Sequence, residues 1–126
     1  MKKILVVEDD QPLALAYQKK FTQAGYVVDL AEDGETGVSH AALGKPDLII
    51  LDIMLPGGMN GFDVLQQLKL SENTRSIPVI VMTNLAEEGE SAIELGAKEY
   101  LLKVNITLSE LINKAKQYLG EDRKVS

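Results

Sequence analysis

Glu8, Asp9, Asp52, Thr83 and Lys103 share one kind of position. Each stands at the end of a short apolar run: Ile4-Leu5-Val6-Val7 leads into Glu8-Asp9-Asp10, and Leu48-Ile49-Ile50-Leu51 into Asp52. Val79-Ile80-Val81-Met82 leads into Thr83-Asn84, and Tyr100-Leu101-Leu102 into Lys103. If these runs are neighbouring strands, Glu8, Asp9 and Asp52 converge. Three carboxylates so placed repel one another unless a pKa rises or a divalent cation offsets the charge. Hard oxygen ligands select Mg²⁺, Mn²⁺ or Ca²⁺, and few protein ligands with open water positions suit Mg²⁺. The cation would let a dianionic phosphoryl group enter an otherwise anionic pocket. Lys103 adds a fixed positive charge and Thr83 a hydroxyl donor, both suited to phosphoryl oxygens. Asp52 is then left as a nucleophile able to form an acyl phosphate.

The elements that must hold these residues follow from the spacing. Five apolar runs, the four above and Val27-Val28-Asp29-Leu30-Ala31, have the composition of strands buried on both faces of a parallel sheet. Helical intervals separate them. Leu13, Ala16, Tyr17, Phe21 and Ala24 form the first stripe, ended by Gly25. A short alanine-rich stretch over 35–43 is the second, and Phe62, Leu65 and Leu68 mark the third. The fourth, over 87–95, is weak and carries Gly89 in its middle. Leu108, Leu111, Ile112, Ala115, Tyr118 and Leu119 make the clearest stripe, opened by a Thr107/Glu110 capping box and stopped by Gly120. Alternating strands and helices with right-handed crossovers predict a (βα)5 α/β fold, doubly wound around a five-stranded parallel sheet. In such a sheet the ligand site lies beyond the carboxyl ends of the strands, where the five residues stand.

Composition narrows the chemistry. The chain of 126 residues carries 19 Asp+Glu against 13 Lys+Arg, a formal charge of −6. That balance argues against non-specific nucleic-acid binding. Having no cysteine, the chain cannot use a disulfide or thiolate. His40 is the single histidine, which excludes a multi-histidine metal site, and it reads as a surface residue without a role. No run reaches the length of a membrane span, and neither signal peptide nor anchor is expected, so a cytoplasmic location is. Residues 1–120 read as one domain, and residues 121–126 as a tail or the start of a linker. Bland readings hold for some charges: Asp10 before Gln11-Pro12 suits a helix cap, and Lys114 and Lys116 suit a helix dipole.

Lys3-Ile-Leu-Val-Val-Glu-Asp-Asp10, Asp52-Ile-Met-Leu-Pro56, Thr83 and Lys103 together resemble the receiver domain of bacterial two-component response regulators, of the chemotaxis-type single-domain fold. The resemblance covers essentially the whole chain. It implies a flavodoxin-like sheet of order 2-1-3-4-5. It also implies that Asp52 accepts a phosphoryl group from a histidine kinase or phosphotransfer protein. Glu8, Asp9, Asp52 and the backbone carbonyl of Met54 would hold Mg²⁺. Lys103 would pair with the phosphoryl group, while Thr83 would bond it and couple to Tyr100 as a switch. The output partner would dock on the face formed by helix 4, strand 5 and helix 5. Beyond its own phosphorylation and dephosphorylation, such a domain catalyses nothing.

Four departures from the family pattern bear on this expectation. The loop Leu55-Pro-Gly-Gly-Met-Asn-Gly61 is one residue longer than usual, and Gly57 and Gly58 are expected to absorb the insertion. Asn84 follows Thr83 where a very small residue is normal. The stretch from Thr83 to Gly96 is about two residues short, so the signalling face is expected to be remodelled. Lys103 is followed by Val104 instead of proline. A non-proline cis bond costs about 2.5–4 kcal/mol, leaving a trans bond or a strained cis bond held by the pocket. The altered loop, the shortened fourth helix and the missing proline motivate an alternative, a receiver-like interaction module that works without phosphorylation. An aspartate-nucleophile phosphohydrolase is disfavoured, because Met54 stands where a second carboxylate would be needed. A flavin carrier is disfavoured by the acidic loop after the first strand.

Overall fold

The computed structural model describes residues 1–120; the expected tail over 121–126 lies outside them. Five strands alternate with five helices: β1 Lys3–Val7, α1 Gln11–Gln23, β2 Val27–Ala31, α2 Gly34–Gly44, β3 Leu48–Asp52, α3 Gly61–Leu70, β4 Val79–Thr83, α4 Ala86–Glu94, β5 Glu99–Leu102 and α5 Leu108–Leu119. All neighbouring strands are parallel, in the order β2-β1-β3-β4-β5. The expected α/β architecture and strand order are both present.

Alternation along each strand sends side chains to two separate cores. Ile4, Val6, Leu48, Ile50, Ile80 and Met82 pack against α1 and α5 through Tyr17, Phe21, Leu111 and Ala115. Leu5, Val7, Ile49, Leu51, Val79 and Val81 face the other way, onto Ala41 of α2, Val64, Leu65 and Leu68 of α3, and Ala92 of α4. Burial on both faces therefore holds for β3 and β4, whose residues are all buried. It fails for β2 and β5. Val27 is exposed, three of the other four β2 residues are only half-buried, and all four residues of β5 are half-buried. These are the sheet edges, with a neighbouring strand on one side only.

The helix ends explain why the turns stay short. Asp10 caps α1, accepting from the Leu13 amide at 3.1 Å, as expected. The α5 capping box forms between Thr107 and Glu110. A second box at α3, between Asn60 and Asp63, went unrecognised in the sequence because Asn60 sits inside the glycine-rich loop. Gly57 turns that loop at φ +88°. Gly61 has a different task. A Cβ there would lie 2.5 Å from the Asp52 carbonyl oxygen, so only glycine lets the start of α3 pass so close beneath Asp52. His40 pairs with Asp29 at 3.1 Å on the α2–β2 surface, outside the acidic group.

Candidate functional site

Register carries the carboxylates together. Val7 of β1 pairs with Leu51 of β3, so the next residues, Glu8 and Asp52, leave adjacent strands at the same edge. Glu8, Asp9 and Asp52 each place a carboxylate oxygen within 4.8 Å of the others. Glu8 and Asp52 are only 3% exposed, whereas Asp9 stands exposed at the rim. Lys103 reaches them from the end of β5, with Nζ 3.2 Å from Glu8 Oε1 and 3.3 Å from Asp52 Oδ1. Asp52 Oδ1 also accepts from the Met54 amide at 3.3 Å, and Glu8 Oε2 accepts from the Asp10 amide at 3.2 Å.

One ammonium does not neutralise two buried carboxylates. Burial, then the charge of Asp52, raises the Glu8 pKa to about 7 against the opposing pull of Lys103 and the Asp10 amide. Burial also raises Asp52, outweighing the attraction of Lys103. Lys103 is held up in turn: burial works against its charge, but Asp52 and Glu8 prevail. Beneath the group lies Tyr17, buried, its phenol pushed far above the usual range by burial and by the charges of Glu8 and Asp52. Glu8 Oε1 faces the Lys103 ammonium but lacks an aligned hydrogen bond. A buried oxygen in that condition, next to two more carboxylates, fits a hard divalent cation.

The remaining sequence candidates separate. Lys103 reaches the acidic group through a trans bond to Val104, since none of the peptide bonds among the described residues is cis. The Met54 side chain is 70% exposed, and with Asp9, Ile53, Leu55 and Glu88 it borders a cavity of 420 Å³ beside the carboxylates. Asn84 is exposed. Thr83 is buried, and its hydroxyl donates to Glu88 Oε1 at 2.6 Å while accepting from the Leu85 amide at 3.2 Å. Tyr100 donates to Glu90 at 3.1 Å, away from Thr83. Glu88 is the residue that sequence reasoning missed. α4 begins only three residues past the strand, and that brings Glu88, in its first turn, to Thr83.

A match to the response regulator receiver domain model spans residues 4–116. The chain belongs to the response regulator receiver family. It is a receiver domain of the two-component kind, a signalling domain with the flavodoxin-like fold. Among its relatives, the transcriptional regulatory protein CusR of Escherichia coli is 42% identical over 103 residues, covering 80% of this chain and 44% of CusR. The alkaline phosphatase synthesis regulator PhoP of Bacillus subtilis is 38% identical over 104 residues, 81% of this chain and 42% of PhoP. The chain thus spans less than half the length of these relatives. The receiver domain of a histidine kinase from Syntrophus aciditrophicus superposes with a TM-score of 0.86 at 30% identity, covering 100% of this chain and 96% of that one. The receiver domain of a Pseudomonas aeruginosa sensor kinase, solved with magnesium in its active-site cleft, gives 0.85 at 28% identity over 95% of this chain and 98% of that one. Receiver domains bind Mg²⁺ at this acidic site and interact with histidine kinases or phosphotransfer proteins; here Glu8, Asp9 and Asp52 form a group suited to a metal.

Proposed function

We propose that Asp52 is the phosphoacceptor and that Glu8, Asp9 and Asp52, with the Met54 carbonyl, are the Mg²⁺ ligands. One observation carries the reading: a carboxylate 3% exposed, 3.3 Å from a lysine, within a three-carboxylate group at the carboxyl edge of the sheet. In the transfer, an Asp52 Oδ attacks the phosphorus of a phosphohistidine. The P–O bond forms as the P–N bond breaks, its electron pair returns to the imidazole nitrogen, and that nitrogen takes a proton from solvent. Lys103 offsets charge on a phosphoryl oxygen, and Thr83 Oγ donates to another. Mg²⁺ bound at the carboxylates supplies further positive charge against the phosphoryl oxygens. Self-phosphorylation and loss of the phosphoryl group to water are the only catalysis assigned. The donor is a histidine kinase or phosphotransfer protein in the cytoplasm. No helix among the described residues is long and apolar enough to cross a membrane.

The output passes through α4, β5 and α5, with Thr83 and Tyr100 as the switch. A 520 Å³ groove lined by Tyr100, Leu101, Ile106 and Lys114 supports this choice of face. Residues 1–120 form the signalling unit. Incubation with a small acyl-phosphate donor and Mg²⁺, followed by intact mass measurement, tests the chemistry. The chain is expected to gain about 80 Da, one phosphoryl group, and Asp52→Ala to gain nothing. An adduct that survives Asp52→Ala, or none in the wild type, overturns the assignment and leaves the phosphorylation-independent module.

A further inference from the structure

A threonine hydroxyl has one proton to donate. Thr83 spends it on Glu88 Oε1, at the short distance of 2.6 Å expected when the acceptor is a carboxylate. Thr83 is only 1% exposed, so water does not compete freely for that proton. Local structure explains how Glu88 arrives there. Leu85 opens α4 without a side-chain cap, and the first helical turn, with Glu87 and Glu88, is tied to Thr83 at the end of β4 through the Leu85 amide and Glu88. Glu88 also borders the cavity shared with Asp9 and Met54, at the mouth of the acidic group.

The two residues that follow hold Tyr100. Gly89 is buried against its ring, and a Cβ at Gly89 would clash with Tyr100 Cδ1 and Cγ. Glu90 accepts the Tyr100 hydroxyl at 3.1 Å. Three consecutive residues of α4 therefore grip both Thr83 and Tyr100.

We propose that Glu88 is a positioning residue that gates phosphoryl acceptance by holding the Thr83 hydroxyl in the place of a phosphoryl oxygen. The inference rests on Asp52 being the acceptor. A phosphoryl group on Asp52 and the Glu88 carboxylate need the same proton, and both are anionic, so they exclude each other. Phosphorylation must displace Glu88. Because Glu88 is fixed in the first turn of α4, its departure shifts the turn that also seats and bonds Tyr100. Any free energy that Glu88 withholds from the phosphorylated state returns reciprocally as coupling between Asp52 and α4.

The test is a double-mutant cycle read by beryllofluoride titration with Mg²⁺, using the wild type, Glu88→Ala, Glu88→Gln, Thr83→Ala and Thr83→Ala/Glu88→Ala. Glu88→Ala is expected to bind beryllofluoride about tenfold more tightly, the scale of one charge-assisted hydrogen bond. Glu88→Gln, which keeps a weaker acceptor, falls between. In the Thr83→Ala background the Glu88 substitution is expected to change nothing. Equal tightening in both backgrounds would reduce Glu88 to a general negative charge and overturn the gate. So would unchanged or weaker binding in Glu88→Ala, with thermal melting of Glu88→Gln confirming an intact fold. If the wild type itself takes up no beryllofluoride, the acceptor assignment fails first, a result distinct from a wild type that binds and does not respond to Glu88.

Discussion

Glu8 is the residue whose placement is least favourable by itself. It is buried, its Oε1 has an ion-pair partner without an aligned bond, and it shares Lys103 with Asp52. Like charges at short range in a low dielectric resist folding unless a cation offsets them. Glu8→Gln retains the shape and removes one charge. In a metal-free buffer at neutral pH it is expected to melt a few degrees higher than the wild type, corresponding to about 1 kcal/mol in a domain of this size. Added Mg²⁺ should raise the wild-type midpoint and leave Glu8→Gln nearly unmoved, by the ordinary mass action of a ligand that binds only the folded state. Calorimetric melts with and without Mg²⁺ check both. A variant that melts lower in chelator would mean that Glu8 is adequately paired by Lys103 alone.

At the scale of elements, the edge strand β5 needs fastening that the central strands do not. Its residues are half-buried, and among the described residues β4 is its only strand neighbour. Glu99 provides the fastening to α5: Tyr118 donates to Oε1 at 2.6 Å and Lys114 Nζ lies 2.8 Å from Oε2. Burial works against the Glu99 charge, but the bonds from Lys114 and Tyr118 outweigh it and hold the carboxyl below its ordinary range. Burial of Tyr118, and then the same bond to Glu99, push that phenol up to about 12. A carboxylate lowered on folding contributes stability above its unfolded pKa and loses it as pH falls through the lowered value. The stability gap between wild type and Glu99→Gln is therefore expected to be largest near neutrality and to close in acid. Tyr118→Phe should cost about 1 kcal/mol near neutrality. Denaturant titrations at several pH values would show either effect, and a gap that widens in acid would refute the clamp.

For the molecule as a whole, one sheet separates two cores, and the site sits along the edge where both end. Phe21, fully buried, meets Tyr26 edge-on with ring centroids 6.3 Å apart in the α1–α5 core. Phe21→Ala is expected to cost about 3–5 kcal/mol, as for other large buried rings. Because the strands are common to both cores, the loss should lower one cooperative transition instead of melting one layer first. Coincident far-ultraviolet and tyrosine-fluorescence melts would bear this out, and separated transitions would contradict it.

Much of this was legible in residue order. Runs such as Leu48-Ile49-Ile50-Leu51 announce central strands because a strand buried on both faces tolerates only apolar side chains. Asp52 and Lys103 stood out because a charge ending such a run needs a partner. The capping box of Thr107 and Glu110 was readable since it is a contact within four residues. What needed the folded chain is what depends on contacts remote in sequence, or on which atom a side chain finally reaches. Nothing in the order of residues says that β2 and β5 are edges, that Gly61 slides under the Asp52 carbonyl, or that Gly89 seats Tyr100. Thr83 is the sharpest case. Its type and position marked it as a donor for a phosphoryl oxygen, yet the hydroxyl is held by Glu88, in the first turn of a helix that begins three residues past the strand. Local chemistry chose the residues of the site, whereas the packing of a helix against a sheet decided which of them are already engaged.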